Sequence, residues 1–425
     1  MSPRTRLTRR RFLRQTAASA MAAVAVPYLV PGRAFGANAK VLTGHIGVGG
    51  QGRGNLGRFR NQAVAVCDVD KKHAAKAAEL VTKSNGKCDV YADFRKLLMR
   101  KEIDAVVVST PDHWHALPVV RACEAGKHVY CEKPLTLTIA EGRVMVRAAR
   151  QNKCIVQTGS QQRSAGNFRT ACELVRSGRI GKLQTVEVGI PGCNHPGKLG
   201  PDSDPPEWLD YDFWLGPASL RPYNEKRVHY NFRFWLDYSG GQMTNWGAHH
   251  IDIAQWGMGT DDTGPIATEG TATFDAEERF TVPASYDVTH TYANGVKVHV
   301  GQKHRMGTTF IGSEGKIYVN RGKLTGEPED VLRRPAGADD VKLYVSGSHA
   351  GNWLDCIQSG KLPICDVEIG HRTATVCHLG NICAVLGRQR GGTVKIQWDP
   401  AKEQIVGDDE ANAMLSRPYR EPWKL

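Results

Sequence analysis

Between Val41 and about Ser160, short apolar runs alternate with stretches of helical periodicity. The apolar runs Val41–Gly47, Ala63–Cys67, Ala105–Ser109, His128–Cys131 and Cys154–Thr158 predict strands. Asn55–Arg60, Lys71–Lys83, Phe94–Arg100, Trp114–Ala125 and Ile139–Asn152 predict the helices between them. Strands that are apolar throughout, each followed by a helix, belong to a parallel sheet covered on both faces. The second half has a different rhythm. A helix over Ala165–Ser177 and a strand over Leu183–Val188 lead into a Trp-, Tyr- and Pro-rich loop region, Pro191–Gly240. A helix over Gln242–Trp256 follows. Period-two strands come next at Ala267–Phe274, Ser285–Tyr292, Val296–Gln302, Thr308–Ile311 and Lys316–Val319. Asn294-Gly295 is a hairpin turn pair. Helices over Ala350–Gln358 and Ile369–Leu386 complete an α+β pattern with a mostly antiparallel sheet. The expected division is a leader over 1–39, a doubly wound α/β domain over 40–160, and an α+β domain over 161–425.

The 425-residue length suits two domains. The net charge of +13 suggests nucleic acid at first sight. Removing the seven arginines of residues 1–39, a stretch without acids, lowers it to +6. No basic stripe interleaved with aromatics remains, so nucleic acid is not an expected partner. Arg9-Arg10-Arg11-Phe12-Leu13 precedes an uncharged Ala/Val-rich run from Thr16 to Val30, with small residues at Ala37-Asn38-Ala39. This pattern matches a twin-arginine export signal, which gives the export machinery as a partner and the periplasm as destination. The apolar run is broken by Pro27 and too short to span a membrane comfortably, so no stable span is expected after processing. The 11 cysteines show no CxxC spacing and several sit in apolar runs, so no disulfide framework is expected.

Gly47-Val48-Gly49-Gly50-Gln51-Gly52 reads G-x-G-x-x-G between a predicted strand and a helix. The first glycine permits the turn, the second admits a pyrophosphate, and the third lets helix and strand pack closely. The helix N-terminus attracts the anion. Asp68, at the end of the second strand, can bind the adenosine ribose hydroxyls and repels a 2′-phosphate, which favours NAD over NADP.

Three clusters carry candidate chemistry. Ser109-Thr110-Pro111-Asp112-His113-Trp114-His115 follows the fourth predicted strand. Its two histidines, spaced i and i+2, do not by themselves make a metal-ligand set, so no metal is expected. Glu132-Lys133-Pro134 follows the fifth, where a lysine can polarise a carbonyl or move a proton. In Asn245–Asp252, helical spacing places Asn245, His249 and Asp252 on one face, with His249 a natural general base. His250 points elsewhere.

These residues together resemble the glucose–fructose oxidoreductase / inositol dehydrogenase / MocA family. The match rests on Gly47–Gly52, Asp68, Thr110-Pro111 with His115, Glu132-Lys133-Pro134 and Asn245-x-Gly247-x-His249-x-x-Asp252. Asn352-Trp353-Leu354-Asp355-Cys356 and Gly370-His371-Arg372 resemble exported bacterial members. The resemblance implies NAD at Gly47, Gly49, Gly50, Gln51, Gly52, Asp68, Thr110, Pro111, His115, Glu132, Lys133 and Gln161. It implies Lys133 and His249 beside the reacting carbon, and hydride transfer on a CH–OH group of a sugar or polyol. The family's usual acid four residues before the histidine is replaced by Asn245, which cannot ionise but can orient His249 or the substrate. Arg163, Arg233, Trp235, Trp246 and Asp252 are expected to meet the substrate, and Trp114 and Trp214 offer further apolar faces. A homodimer or homotetramer is implied. Export away from the cytoplasmic NAD pool implies a tightly held cofactor, regenerated within the site. The alternative is a redox-neutral glycoside hydrolase or lyase that recycles NAD through a keto-sugar.

Overall fold

The sheet that organises the first domain is built on strands with no exposed residue. The computed structural model describes residues 40–277, 279–333, 337 and 339–425; the export-signal expectation therefore falls outside the described residues. Strands β1 (Thr43–Ile46), β4 (Ala105–Val108) and β5 (His128–Cys131) are buried at every position. Such strands can only lie inside a sheet packed on both faces. With β2 (Ala63–Cys67), β3 (Asp89–Tyr91) and β6 (Val156–Thr158) they form a six-stranded parallel sheet in the order β3-β2-β1-β4-β5-β6. That is the doubly wound arrangement, whose switch point lies between β1 and β4. Strand β3 went unnoticed in the sequence because it is a three-residue edge strand with no buried position.

Local signals set the helix ends. Asp70 caps helix Lys71–Asn85 by accepting from the Lys72 and His73 amides, and Gly86 ends it in the left-handed conformation. Thr138 and Glu141 form a reciprocal capping box at helix Ile139–Gln151. The first helix spans Gly50–Arg58 and so begins earlier than its apolar pattern announced. Its first turn is made of the cofactor-loop glycines, which carry no hydrophobic periodicity.

The second domain is a nine-stranded sheet. Its strands are β7 (Leu183–Gly189), β8 (Ala267–Thr273), β9 (Ser285–Thr291), β10 (Lys297–Gly301), β11 (Gly307–Gly312), β12 (Lys316–Asn320), β13 (Lys323–Glu327), β14 (Val394–Asp399) and β15 (Gln404–Val406). Their order is β13-β12-β11-β7-β10-β9-β8-β14-β15, with β7 and β10 parallel and the other paired neighbours antiparallel. Helix Gly247–Met258 packs against β7 and β11, and the long helix Val367–Arg390 packs against β8 and β9. The expected single helix Gln242–Trp256 is two helices, Gly241–Asn245 and Gly247–Met258, broken at Trp246. No described helix is long and apolar enough to cross a membrane. All eleven cysteines are free.

The sequence boundary near residue 160 is not a packing boundary. Trp353, on helix His349–Ser359, is fully buried in the first domain's core against Phe59 and Tyr130, with ring centroids 5.3 and 5.8 Å away. Helix Val367–Arg390 also packs against helix Ile139–Gln151 and contributes Val367 and Ala374 to that core. A Trp353→Ala variant should therefore lose about 3–5 kcal/mol of stability in urea unfolding. A loss below about 1 kcal/mol would show that this helix does not brace the nucleotide-binding domain.

Candidate active site

At the switch point the chain opens a cavity of about 780 Å³ that runs from the glycine loop to helix Gly247–Met258. The loop's conformation explains its glycines. Gly47 has φ +77°, and a Cβ there would lie 2.7 Å from the Thr110 amide nitrogen. A Cβ on Gly52 would lie 2.0 Å from the Gly47 carbonyl oxygen, so the third glycine serves helix–strand contact, outside the cavity wall. Helix Gly50–Arg58 has no side-chain cap, which leaves its first amides for an anion. Asp68 accepts from the Val48 amide at 2.8 Å and the Asp70 amide at 2.9 Å, which fixes its carboxylate at the end of β2. Burial raises its pKa to about 6 against the pull of those two amides. Thr110 Oγ1 is buried without a described partner. Uncapped amides, an oriented carboxylate and an unpaired hydroxyl along one cleft are the donor set a dinucleotide needs.

Glu132 joins this end to the middle of the cavity. Its Oε1 accepts from Gln51 Nε2 at 3.0 Å and from Asn55 Nδ2 at 2.8 Å. Asn55 also donates to Ser109 Oγ at 3.0 Å, a bracing role the sequence did not single out. His115 lines the wall, but its nitrogens lie 2.8 Å from the Pro134 carbonyl and 2.9 Å from the Thr110 carbonyl. Two acceptors require two N–H donors, so the ring is an imidazolium that pins the two loops. Burial opposes that charge, but Cys131, Asp112 and the Pro134 carbonyl outweigh it and lift the pKa to about 10.

At the far end, Lys133 Nζ donates to Asn245 Oδ1 at 2.7 Å and to the Asn245 carbonyl at 3.2 Å. Asn245 Nδ2 donates to Gln242 Oε1 at 3.2 Å, so the amide is held at both ends. His249 lines the same space, and its Nδ1 is buried with no described partner. Burial first, then the nearby cations Lys133 and Arg321, hold its pKa well below 6.5. It is a neutral imidazole, able to accept a proton. The Trp246 ring stands edge-on to His249 at 5.7 Å and carries the Arg321 guanidinium at 4.8 Å.

Of the expected cofactor residues, Gly47, Gly49, Gly50, Gln51, Asp68, Thr110, Pro111, His115, Glu132, Lys133 and Gln161 line the cavity. Arg233 and Trp246 line it too, as do Trp114 and Trp214. Three substrate expectations are corrected, because Arg163, Asp252 and Trp235 lie behind the wall. Arg163 is buried, with Nε 2.9 Å from Asp252 Oδ2 and Nη1 2.8 Å from Asp261 Oδ2. Asp252 also accepts from Thr373 Oγ1 at 3.0 Å. An exposed arginine would meet substrate; this one is neutralised and anchors the helix that carries His249. Trp235 donates its Nε1 to the Lys226 carbonyl at 2.8 Å and packs against Phe280, so its ring is core. The structure adds Asp112, which lies in the Ser109–His115 stretch but was given no role there, and Ser239, Gln242 and Arg321, which sit in no motif readable from one sequence.

Residues 41–160 match the model described as oxidoreductase family, NAD-binding Rossmann fold. Residues 196–425 match its C-terminal alpha/beta domain. The chain belongs to the Gfo/Idh/MocA oxidoreductase family. It is similar to the dTDP-3,4-didehydro-2,6-dideoxy-alpha-D-glucose 3-reductase of Saccharopolyspora spinosa, 26% identical over 62% of this chain and 71% of that one. It is 36% identical to the 2,7-anhydro-N-acetylneuraminate hydratase of Mediterraneibacter gnavus over 23% of this chain. That match spans only 26% of the hydratase's length. A levoglucosan dehydrogenase in complex with NADH shares the fold at TM-score 0.59 and 19% identity, over 84% of this chain and 99% of that one. The matched family makes it an oxidoreductase with an NAD-binding Rossmann domain.

An Asp68→Ala variant should weaken NADH binding about 10- to 100-fold in a fluorescence titration. It should narrow the preference for NADH over NADPH at the same time. An unchanged preference would remove Asp68 from cofactor selection.

Proposed function

We propose that the protein oxidises a CH–OH group of a sugar or polyol, or reduces the corresponding carbonyl, and keeps its NAD between turnovers. The observation that carries this reading is the shared cavity, which holds the glycine loop at one end and the Lys133–Asn245 pair with neutral His249 at the other. When bound, NAD supplies the hydride acceptor or donor at its nicotinamide. His249 takes the hydroxyl proton during oxidation. Lys133 donates a hydrogen bond to the same oxygen and favours its negative charge. Asn245 cannot accept that proton, so it orients the lysine and the relay ends at His249.

Retention of the cofactor is supported by a clasp. The second domain's long loop returns to the nucleotide-binding domain, where the Lys71 amide donates to the Trp208 carbonyl at 2.9 Å. The Asp210 amide donates to the Val69 carbonyl at 3.1 Å. Lys72 Nζ stands 4.2 Å from the Trp208 ring centroid. A captive cofactor suits an enzyme exported on its Arg10-Arg11 signal to a compartment without an NAD pool. It suits equally a second reading, redox-neutral elimination through a keto-sugar, which the similarity to a hydratase favours.

Denaturing the purified protein should release about one NAD or NADH per chain, detectable by mass spectrometry. Product analysis then separates the readings. Paired oxidation and reduction marks the oxidoreductase, and release of an aglycone without net redox marks the second reading. The pH profile tests the base. A pKa lowered below 6.5 leaves His249 neutral, and competent, at every pH above that value. The acid limb of kcat/KM for oxidation should therefore lie below pH 6.5. In Asn245→Asp, a carboxylate beside Lys133 should draw that limb upward. A wild-type limb centred above pH 7 would rule out His249 as the base.

A further inference from the structure

The substrate end of the cavity gathers three cations, Lys133, Arg233 and Arg321. The charges of Glu132 and Asp112 act on Lys133, and that of Asp112 on Arg233, but none of these pairs is in direct contact among the described ion pairs, and no described carboxylate acts on Arg321. Lys133 is occupied by a neutral amide, that of Asn245. The Arg233 Nε donates to the Tyr230 carbonyl at 2.8 Å and its guanidinium stacks on that ring at 3.7 Å. Neither Nη group of Arg233 has a described acceptor. Arg321 stands at the rim on the turn between β12 and β13, over Trp246. With the Gln162 amide turned so that both its groups are satisfied, its oxygen accepts from Arg321 Nε at 3.2 Å.

The acids nearby are otherwise engaged. Glu132 is spent on Gln51 and Asn55. Asp112 accepts from Ser239 Oγ at 2.7 Å and is fully enclosed, and burial pushes its pKa up. Burial lowers the pKa of each of the three cations; at Lys133 the charges of Glu132 and Asp112 oppose that shift and those of Arg233 and Arg321 add to it. The phosphates of a dinucleotide are provided for separately, at the uncapped helix beyond Glu132. A guanidinium with free donors at the mouth of a partly desolvated pocket is suited to a carboxylate or phosphate group.

We propose that the sugar this enzyme takes is anionic, with its carboxylate or phosphate ester paired to Arg321 at the rim and Arg233 adding to the positive field. Asn245 belongs to the same design: an acid there would neutralise Lys133 and repel the substrate. This inference rests on the oxidoreductase reading and adds the substrate's charge to it.

The test uses the full-length, NADH-loaded protein and reads Trp fluorescence and thermal shift. D-glucuronate, D-galacturonate, D-gluconate and D-glucose 6-phosphate are compared with D-glucose, D-galactose and myo-inositol. The anions should bind at concentrations where the neutral sugars do not, and added salt should weaken them. Preference for the sugar acids or for the phosphate ester decides between the two groups. Arg321→Gln should raise the anion's apparent Kd about 10- to 100-fold while NADH fluorescence titration stays unchanged. Arg321→Lys should keep part of the affinity. Neutral sugars binding as well as anions, indifference to every anion, or an Arg321→Gln defect confined to NADH would each overturn the inference. Failure of the wild-type protein to bind NADH would instead overturn the oxidoreductase reading on which it stands.

Discussion

The contact between Lys133 and Asn245 is the one on which the site depends. It spans 112 residues of sequence and joins the carboxyl edge of the parallel sheet to the helix pair of the second domain. An enclosed ammonium is costly unless its donors are used. Asn245 supplies two acceptors, its side-chain and main-chain oxygens, and Glu132 and Asp112 add favourable charge from a distance. The break between helices at Trp246 makes this possible. An unbroken helix would use the Asn245 carbonyl within its own ladder, whereas here it is open to the lysine.

Two further devices hold the site's parts in place, one at His249 and one within the first domain. The Arg163–Asp252–Asp261 cluster ties its helix to the turn after β6, using a buried bidentate pair and a hydroxyl from Thr373. Such a cluster gives directional register that apolar packing alone does not, although its net contribution to stability is small beside its desolvation cost. The imidazolium of His115 does related work within the first domain, where it binds the Thr110 and Pro134 carbonyls and so fixes the spacing of the loops after β4 and β5. Both devices consume charged residues that look, in isolation, like substrate or cofactor contacts.

The division of charge along the cavity follows from the same constraints. Carboxylates cluster at the adenosine end, where Asp68 is set by backbone amides. Cations gather at the other end, where the neutral amide of Asn245 adds no charge to offset them and Glu132 and Asp112 act only from a distance. The long loop 191–240 closes the structure between these ends, because it contributes Arg233 to the site and hydrogen bonds to the turn after β2. Loops of that length are seldom without function.

The sequence by itself determined the doubly wound domain and the glycine loop, and it singled out Asp68, Lys133 and His249, which the fold brings to one cavity. Those features are local: uninterrupted apolar strands, glycines required by one tight turn, and chemistry at strand ends, where sheets of this kind bind ligands. Most of the mixed sheet was legible from its alternation, but its edge strands β13 and β15, like β3 at the edge of the parallel sheet, escaped because they bury little, and β14 was missed although its positions alternate between buried and exposed. Tertiary structure alone decided which charged and aromatic residues face the cavity. Arg163 and Arg233 look alike in sequence, yet one is neutralised by Asp252 and Asp261, residues that lie 89 and 98 positions away, and the other is not. Trp235 and Trp246 differ in the same way, and Arg321 reaches the site from a hairpin turn that no motif marks. A side chain's charge and direction become functional only once its long-range partners are known, and those pairings are set by packing between elements rather than by the pattern along the chain.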